Sequence, residues 1–186
     1  MVDRYVYKCI FILALMCLFS CGQSQKYIPG QGLIKKALFV PEKLVVYTPF
    51  ENYLLDSTQI AKSPFKIYVS INFSCPTCIE KVNKWAAIVP QIKAGRNIPV
   101  IIIANTDDDF MLIKYLIKKK AIAKFPYPFF LNKTGDFTAK NDVISKSAEM
   151  DAVLTDQENT IIYQGNPLKS PEAKERFLQK IRETQK

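Results

Sequence analysis

A strand pattern that runs directly into a helix pattern constrains the fold of this chain most. In residues 65–73, apolar side chains alternate with Lys, Tyr, Ser and Asn, which predicts a strand. From Ile79 to Val89, apolar residues recur at three- and four-residue intervals between polar ones, which predicts an amphipathic helix that ends at about Pro90. Residues 97–104 are then almost continuously apolar, as is typical of a central strand buried on both faces.

The remaining segments predict further elements. In chain order these are a first strand (43–47), a second helix (112–117), an irregular insert with a glycine turn (126–142), the two strands of a β-hairpin (151–156 and 160–165) and a final helix (171–181). Ser170 and Pro171 predict the start of the final helix, because serine caps a helix and proline suits its first turn. This order predicts an α/β sandwich with a central mixed sheet flanked by helices.

The composition fits one globular domain with a short appendage. The chain has 186 residues, of which 48% are hydrophobic and 23% are charged. It contains no histidine. This excludes Ser-His-Asp triads, Cys-His proteases, His-ligated zinc or copper sites and imidazole acid–base catalysis.

The N-terminal segment has the features of an export signal. Arg4 and Lys8 precede an apolar run of eleven residues, 9–19, which is too short to cross a bilayer of about 30 Å as a helix. The small residue Ser20 then precedes Cys21, an arrangement that resembles the lipobox of bacterial lipoproteins. Cleavage before Cys21 would leave its thiol for lipidation and tether the chain to a membrane.

We therefore expect residues 1–20 to be a lipoprotein signal peptide, residues 21–39 a tether and residues 40–186 the folded domain. The expected location is the bacterial cell envelope, with the domain on its lipid anchor facing the periplasm. An ordinary cleaved signal or an uncleaved anchor is the alternative. The formal net charge is +9, but an exported chain with scattered basic residues is not expected to bind nucleic acid.

Two clusters of like charge are interpreted as the ends of one helix. Lys118–Lys120 would lie at its C-terminal end, where cations complement the helix dipole. Asp107–Asp109 would cap its N-terminal end, where carboxylates accept hydrogen bonds from free N–H groups, rather than hold a metal.

The cysteines carry the information about chemistry. Three of the five lie in the N-terminal stretch, whereas Cys75 and Cys78 form a C-x-x-C pair at the strand-to-helix junction. A cysteine at a helix N-terminus lies near unpaired N–H groups, so we expect a pKa for Cys75 below the free value of about 8.5, and Cys75 as the nucleophile. Cys78 would attack the mixed disulfide that Cys75 forms with a substrate. The dipeptide between them is uncharged and gives no obvious electrostatic means of setting a potential.

A metal site finds little support in the sequence. Structural zinc needs four ligands, and beyond Cys21 the chain offers two cysteines and no histidine. We expect no metal and no cofactor. A thiolate carrier of copper or zinc is kept as an alternative function because two soft thiolates are present.

The strand of residues 65–73, the Cys75-Pro76-Thr77-Cys78 motif at the head of a helix, the buried strand of residues 97–104 and the late hairpin and helix together resemble the thioredoxin superfamily. With the insert and the lipobox, the chain looks like the TlpA-like thiol-disulfide oxidoreductases of the bacterial envelope. The resemblance covers roughly residues 40–183 and implies a three-layer sandwich.

The same resemblance implies roles for individual residues. Cys75 would be the attacking and Cys78 the resolving cysteine, and Pro76, Thr77 and Met150 would contact the substrate. The partners would be envelope proteins that carry a disulfide or a dithiol.

Three positions depart from the family pattern. Met150 stands where thioredoxins place a cis-proline, and because a non-proline cis bond costs about 3 kcal/mol, a trans or rebuilt loop is expected. Val69 stands where many thioredoxins hold a buried acid, and Ser74 stands where a tryptophan is common. Glu80 is expected to be a solvated surface residue. Met150 and Val69 favour a second alternative, a non-catalytic binding module with a structural disulfide.

Aromatic residues near the motif are interpreted as packing residues. These are Trp85, Tyr127, Phe129 and Phe130. A peroxiredoxin is disfavoured, because Asn72 stands where the threonine three residues before a peroxidatic cysteine is expected.

Overall fold

The structure, a computed structural model, describes residues 36–92, 98–141 and 152–184. These ranges form six strands and five helices. In chain order they are β1 (Val45–Tyr47), α1 (Ser57–Ala61), β2 (Phe65–Asn72), α2 (Pro76–Ile92), β3 (Val100–Asn105), α3 (Met111–Lys118), β4 (Phe129–Leu131), α4 (Asp136–Lys140), β5 (Ala152–Asp156), β6 (Ile161–Gly165) and α5 (Pro171–Thr184).

The six strands form one mixed sheet in the order β1-β4-β3-β2-β5-β6. The central strand β2 is parallel to β3, where Ile67 pairs with Val100, and antiparallel to β5, where Ile67 pairs with Leu154. Strand β4 is parallel to β3, and β5 and β6 are antiparallel. The mixed α/β sheet expected from the sequence is therefore confirmed.

The alternation in β2 separates the two helical layers. Ile67, Leu154 and Tyr163 are register partners and share one face of the sheet. Tyr163 contacts Phe177 of α5, and Phe177 also contacts Trp85 of α2, so α2 and α5 cover this face. On the opposite face Tyr68 packs on Phe137 of α4. The chain is a three-layer sandwich.

Residues 36–39, at the end of the expected tether, make contacts with the domain. Ala37 forms an isolated antiparallel bridge with Thr160, and Leu38 is buried. The side-chain amide of Asn141 donates to the Phe39 carbonyl at 2.7 Å and accepts from the Phe39 N–H at 2.9 Å.

Short elements account for the differences from the predicted pattern. Residues 126–141 of the insert predicted to be irregular contain β4 and α4. The connection before Pro64 contains α1, which begins with a capping box formed by Asp56 and Gln59. Elements of three to five residues are too short for a period to show in the sequence.

The helix after the cysteine pair extends to Ile92, past Pro90. Proline removes one intrahelical hydrogen bond, but Val89 and Ile92 are both buried, and this packing continues the helix across it. Across the described ranges, no helix combines the length and the apolar character that a bilayer span requires.

Candidate active site

The two cysteines lie where β2 passes into α2. The Cys75 carbonyl accepts the N–H of Ile79 at 3.0 Å, which makes Cys75 the residue that caps α2. Cys75 and Cys78 are both free thiols and both partly exposed. Cys78 also packs against the hydrophobic core. The junction predicted from the strand and helix patterns is present.

Hydrogen bonds at the Cys75 sulfur favour its anionic form. The thiol of Cys78, the hydroxyl of Thr77 and the N–H of Cys78 all bond to it and lower the pKa of the Cys75 thiol, the Cys78 thiol most. The Thr77 oxygen and the Cys78 nitrogen each lie 3.3 Å from this sulfur. Thr77 thus lowers the pKa of the Cys75 thiol, so the uncharged dipeptide has an electrostatic effect that the sequence interpretation missed.

The pKa of the Cys78 thiol is shifted in the opposite direction, upward. Burial raises the pKa of its thiol most, and the hydrogen bond to Cys75 and the negative charge of Cys75 raise it further. Lys81 acts against these effects. The two thiols therefore differ in acidity, and Cys75 is the one that loses its proton at the lower pH.

Ser74, expected only as a departure from the family pattern, anchors the loop before Cys75. Its hydroxyl donates to the carboxylate of Asp108 at 2.9 Å and accepts the N–H of Asp107 at 2.6 Å. Its own N–H donates to the side-chain carbonyl of Asn72 at 2.8 Å. The cysteine loop is thereby fixed to the loop that follows β3.

Asp108 links this loop to α3. Its carboxylate accepts the Thr106 hydroxyl at 2.6 Å and the N–H of Leu112 at 2.9 Å, in addition to the Ser74 hydroxyl. The bond from Thr106 is the main cause that lowers the pKa of Asp108, and those from Leu112 and Ser74 add to it.

The capping prediction for the aspartate triplet is confirmed for Asp108 alone. Asp108 does accept an N–H of the first turn of α3, but the residue at the N-cap is Phe110, which has a left-handed backbone with φ of 62°. Asp109 instead approaches Lys133 at 4.0 Å. Phe110 is buried against Phe73, and this aromatic contact fixes the turn.

The other expected site residues are placed as follows. Pro76 and Thr77 are exposed on the first turn of α2. Val69 is fully buried in β2, and Glu80 is exposed. Met150 and Cys21 lie outside the described residues. In the described ranges, no group of three or more cysteine, aspartate or glutamate side chains is arranged to hold a metal ion.

The aromatic residues act in packing, as expected. Trp85 is fully buried against Phe177, and its indole N–H has no hydrogen-bond partner. Phe129 lies at the centre of a ring cluster with Phe73 and Phe125. The lysines at positions 118–120 are exposed at the C-terminal end of α3, as the helix-end interpretation predicted.

The fold and the position of the cysteine pair define a thioredoxin-like α/β protein. No model of a known protein family matches the chain, and no curated protein sequence matches it significantly. Several solved structures that resemble it have names that contain thioredoxin. An uncharacterized thioredoxin-like protein from Porphyromonas gingivalis is 17% identical, with a TM-score of 0.46 and coverage of 65% of this chain and 75% of its own.

Two further structures are similar at the same level. The exposed lipoprotein thioredoxin of Streptococcus pneumoniae is 12% identical, with a TM-score of 0.46 and coverage of 64% of this chain and 86% of its own. The bacterioferritin comigratory protein of Xanthomonas campestris is 14% identical, with a TM-score of 0.46 and coverage of 69% of this chain and 84% of its own.

Proposed function

We propose that this chain is a thiol-disulfide oxidoreductase that exchanges electrons with protein disulfides through Cys75 and Cys78. The observation that carries the proposal is the position of Cys75 at the start of α2, where the N–H of Cys78 donates to the Cys75 sulfur at 3.3 Å. The lowered pKa of Cys75 and the raised pKa of Cys78 agree with this geometry. A thiolate attacks a disulfide, whereas a thiol does not. A thioredoxin-like fold suggests thiol-disulfide redox function generally.

The reaction has two exchange steps. The Cys75 thiolate attacks one sulfur of a client disulfide, forms a mixed disulfide and releases the other client sulfur as a thiolate. Cys78 then loses its proton and attacks the Cys75 sulfur, which releases the second client thiolate and leaves a Cys75–Cys78 disulfide. Two electrons pass to the client, and an external dithiol reductant restores the pair. The reverse sequence oxidises a client dithiol.

The experiment compares the two single cysteine variants in the reduction of insulin by dithiothreitol. We expect Cys75→Ser to abolish the catalysed rate and to form no mixed disulfide. Cys78→Ser, reduced beforehand and mixed with insulin without free dithiothreitol, should retain attack by Cys75 but accumulate the mixed disulfide, because the resolving thiol is gone. If both variants reduce insulin as fast as the wild type, the proposal is refuted.

One observation favours the non-catalytic alternative. Val69 is fully buried where a proton-transferring acid stands in many thioredoxins, and Glu80 is exposed and is not a substitute. In that case the pair would be a static disulfide. The reduction potential discriminates between the two functions, because structural disulfides have potentials below about −300 mV.

A second part of the proposal concerns location. We infer a TlpA-like envelope protein that is lipidated at Cys21, because Ser20 and Cys21 follow the apolar run of residues 9–19. Its partners would be envelope proteins with a disulfide or a dithiol, and Pro76, Thr77 and Met150 would contact them.

Lipidation is tested by labelling bacterial cells with a fatty-acid analogue. Label should enter the wild type and the matched control Cys17→Ser, and Cys21→Ser should lose it. Equal labelling of Cys21→Ser and wild type would rule out this anchor.

A further inference from the structure

Helix α3 exposes two large apolar side chains on its outer side. Met111 is 71% exposed and Tyr115 is 56% exposed, more than any other large hydrophobic residue in the described ranges. They are four residues apart, so they are neighbours on the helix surface. Apolar groups exposed together in this way are typical of a contact surface.

Lysines surround these apolar groups. Lys114 and Lys118 lie on the same side of α3 at three- and four-residue spacing, and both are exposed. The Lys119 ammonium lies 5.7 Å from the centre of the Tyr115 ring. Residues 110–120, which contain α3, include four lysines and no acidic residue. This surface therefore complements a negatively charged partner.

The surface begins beside the cysteine loop. The Asp108 carboxylate bonds both to Ser74, which precedes Cys75, and to the N–H of Leu112 in the first turn of α3. With a rise of about 1.5 Å per residue, the eight residues of α3 extend about 12 Å from this point.

We propose that this surface, the α3 face (Met111, Lys114, Tyr115 and Lys118), docks client polypeptides that carry acidic side chains near their reacting cysteine. This inference rests on the proposed redox function and names the client chemistry for the same site. Asp107 and Asp109 are exposed between the cysteine loop and the α3 face and repel a carboxylate placed next to the reacting cysteine. An extended chain advances about 3.3 Å per residue, so client carboxylates roughly three to five residues from the cysteine reach Lys114 and Lys118.

The test uses three synthetic disulfide peptides that differ only at those positions, with Glu, Gln or Lys. The reduced wild-type protein should react about tenfold faster with the Glu peptide than with the Lys peptide, because opposite charges speed association. The ratio of the rate with the Glu peptide to the rate with the Lys peptide should fall in about 1 M salt, because the Debye length is then about 3 Å and the charges are screened.

Reversing the charge of two lysines tests whether the α3 face causes the preference for the Glu peptide. In Lys114→Glu/Lys118→Glu the preference should shift towards the Lys peptide. Lys43→Glu/Lys62→Glu is the matched control, because it changes the net charge equally at exposed residues before β1 and after α1. The control should keep the Glu preference. Equal ratios in the two double variants would overturn the proposal and assign the preference to net charge.

A binding measurement separates docking from redox activity. In the Cys75→Ser/Cys78→Ser protein, the Glu peptide with its cysteines replaced by alanine should shift the amide NMR signals of Met111 and Tyr115. If the wild type reduces no peptide, the redox proposal fails, and these shifts alone decide the docking proposal. If the wild type reduces the Glu, Gln and Lys peptides at equal rates, the docking proposal is overturned and the redox proposal stands. Binding of the α3 face to vesicles of anionic lipid together with an absence of peptide shifts would also overturn the docking proposal.

Discussion

Replacement of Ser74 by alanine tests the link between the cysteine loop and the loop after β3. The substitution removes the hydrogen bond of 2.9 Å from the Ser74 hydroxyl to the Asp108 carboxylate. A hydrogen bond to a charged group contributes about 1.5–3 kcal/mol to stability. The N–H of Asp107 also loses its acceptor, but Asp107 is exposed and its N–H can bond to water. Because Asp108 is only partly buried, we expect a loss of about 1.5–2 kcal/mol in the free energy of unfolding.

Ser63→Ala is the control. The buried Ser63 hydroxyl donates one bond of 3.1 Å to the uncharged carbonyl of Gln59, so its loss should cost about 0.5–1.5 kcal/mol. The assay is urea unfolding of the reduced protein with linear extrapolation to water. A double-mutant cycle of Ser74→Ala with Asp108→Asn isolates the pairwise energy. Additive losses in that cycle, together with a loss in Ser74→Ala no larger than in Ser63→Ala, would refute the reasoning.

The pH dependence supplies an independent check on the same bond. The pKa of Asp108 is lowered in the folded chain, so its charged form contributes stability above the unfolded pKa of a carboxyl group. That stability is lost as the pH falls through the lower, folded pKa. The difference between wild type and Ser74→Ala should therefore shrink in acid, and a constant difference would show that the Asp108 charge is not involved.

Three further predictions concern other parts of the molecule. Thr77→Val should raise the pKa of Cys75, because it removes the hydroxyl bond to that sulfur, and the ultraviolet absorbance of the thiolate against pH measures this. Trp85→Phe should lower the free energy of unfolding by less than the roughly 3–5 kcal/mol typical of Trp→Ala in a core, because the buried indole N–H that it removes is unpartnered. Urea unfolding of Trp85→Phe and Trp85→Ala compares the two losses. Burial lowers the pKa of Lys66, which disfavours its charged form, so wild type should gain stability relative to Lys66→Met as the pH rises towards the unfolded lysine pKa, as shown by unfolding at several pH values.

The long elements of this fold could be predicted because they bury one face or both. Apolar residues alternate with polar ones in β2 and recur with a helical period in α2, so the sequence predicts both elements to within a few residues. Strand β4 could not be predicted. It has three residues, and its conformation depends on hydrogen bonds to β3 and β1 on either side, which are distant in sequence.

The same contrast applies to the candidate site. The position of Cys75 at the start of a helix followed from local patterns alone. The Ser74–Asp108 bond joins residues 34 positions apart, and it exists because the parallel strands β2 and β3 end at the same edge of the sheet. A usable signal was nevertheless present, since Ser74 and the aspartate triplet each follow a predicted strand.

The geometry of the pair also determines how protons move in the proposed exchange. Between the pKa values of the two thiols, the reduced pair holds one proton, on Cys78. Full reduction of a client disulfide to two thiols needs two protons, and the pair supplies only that one. Because Val69 is a buried apolar residue and Glu80 is exposed, neither supplies a buried acid, and the proton of Cys78 passes to a client sulfur or to solvent directly. The partial exposure of both cysteines makes such a transfer possible, and the second proton then comes from water.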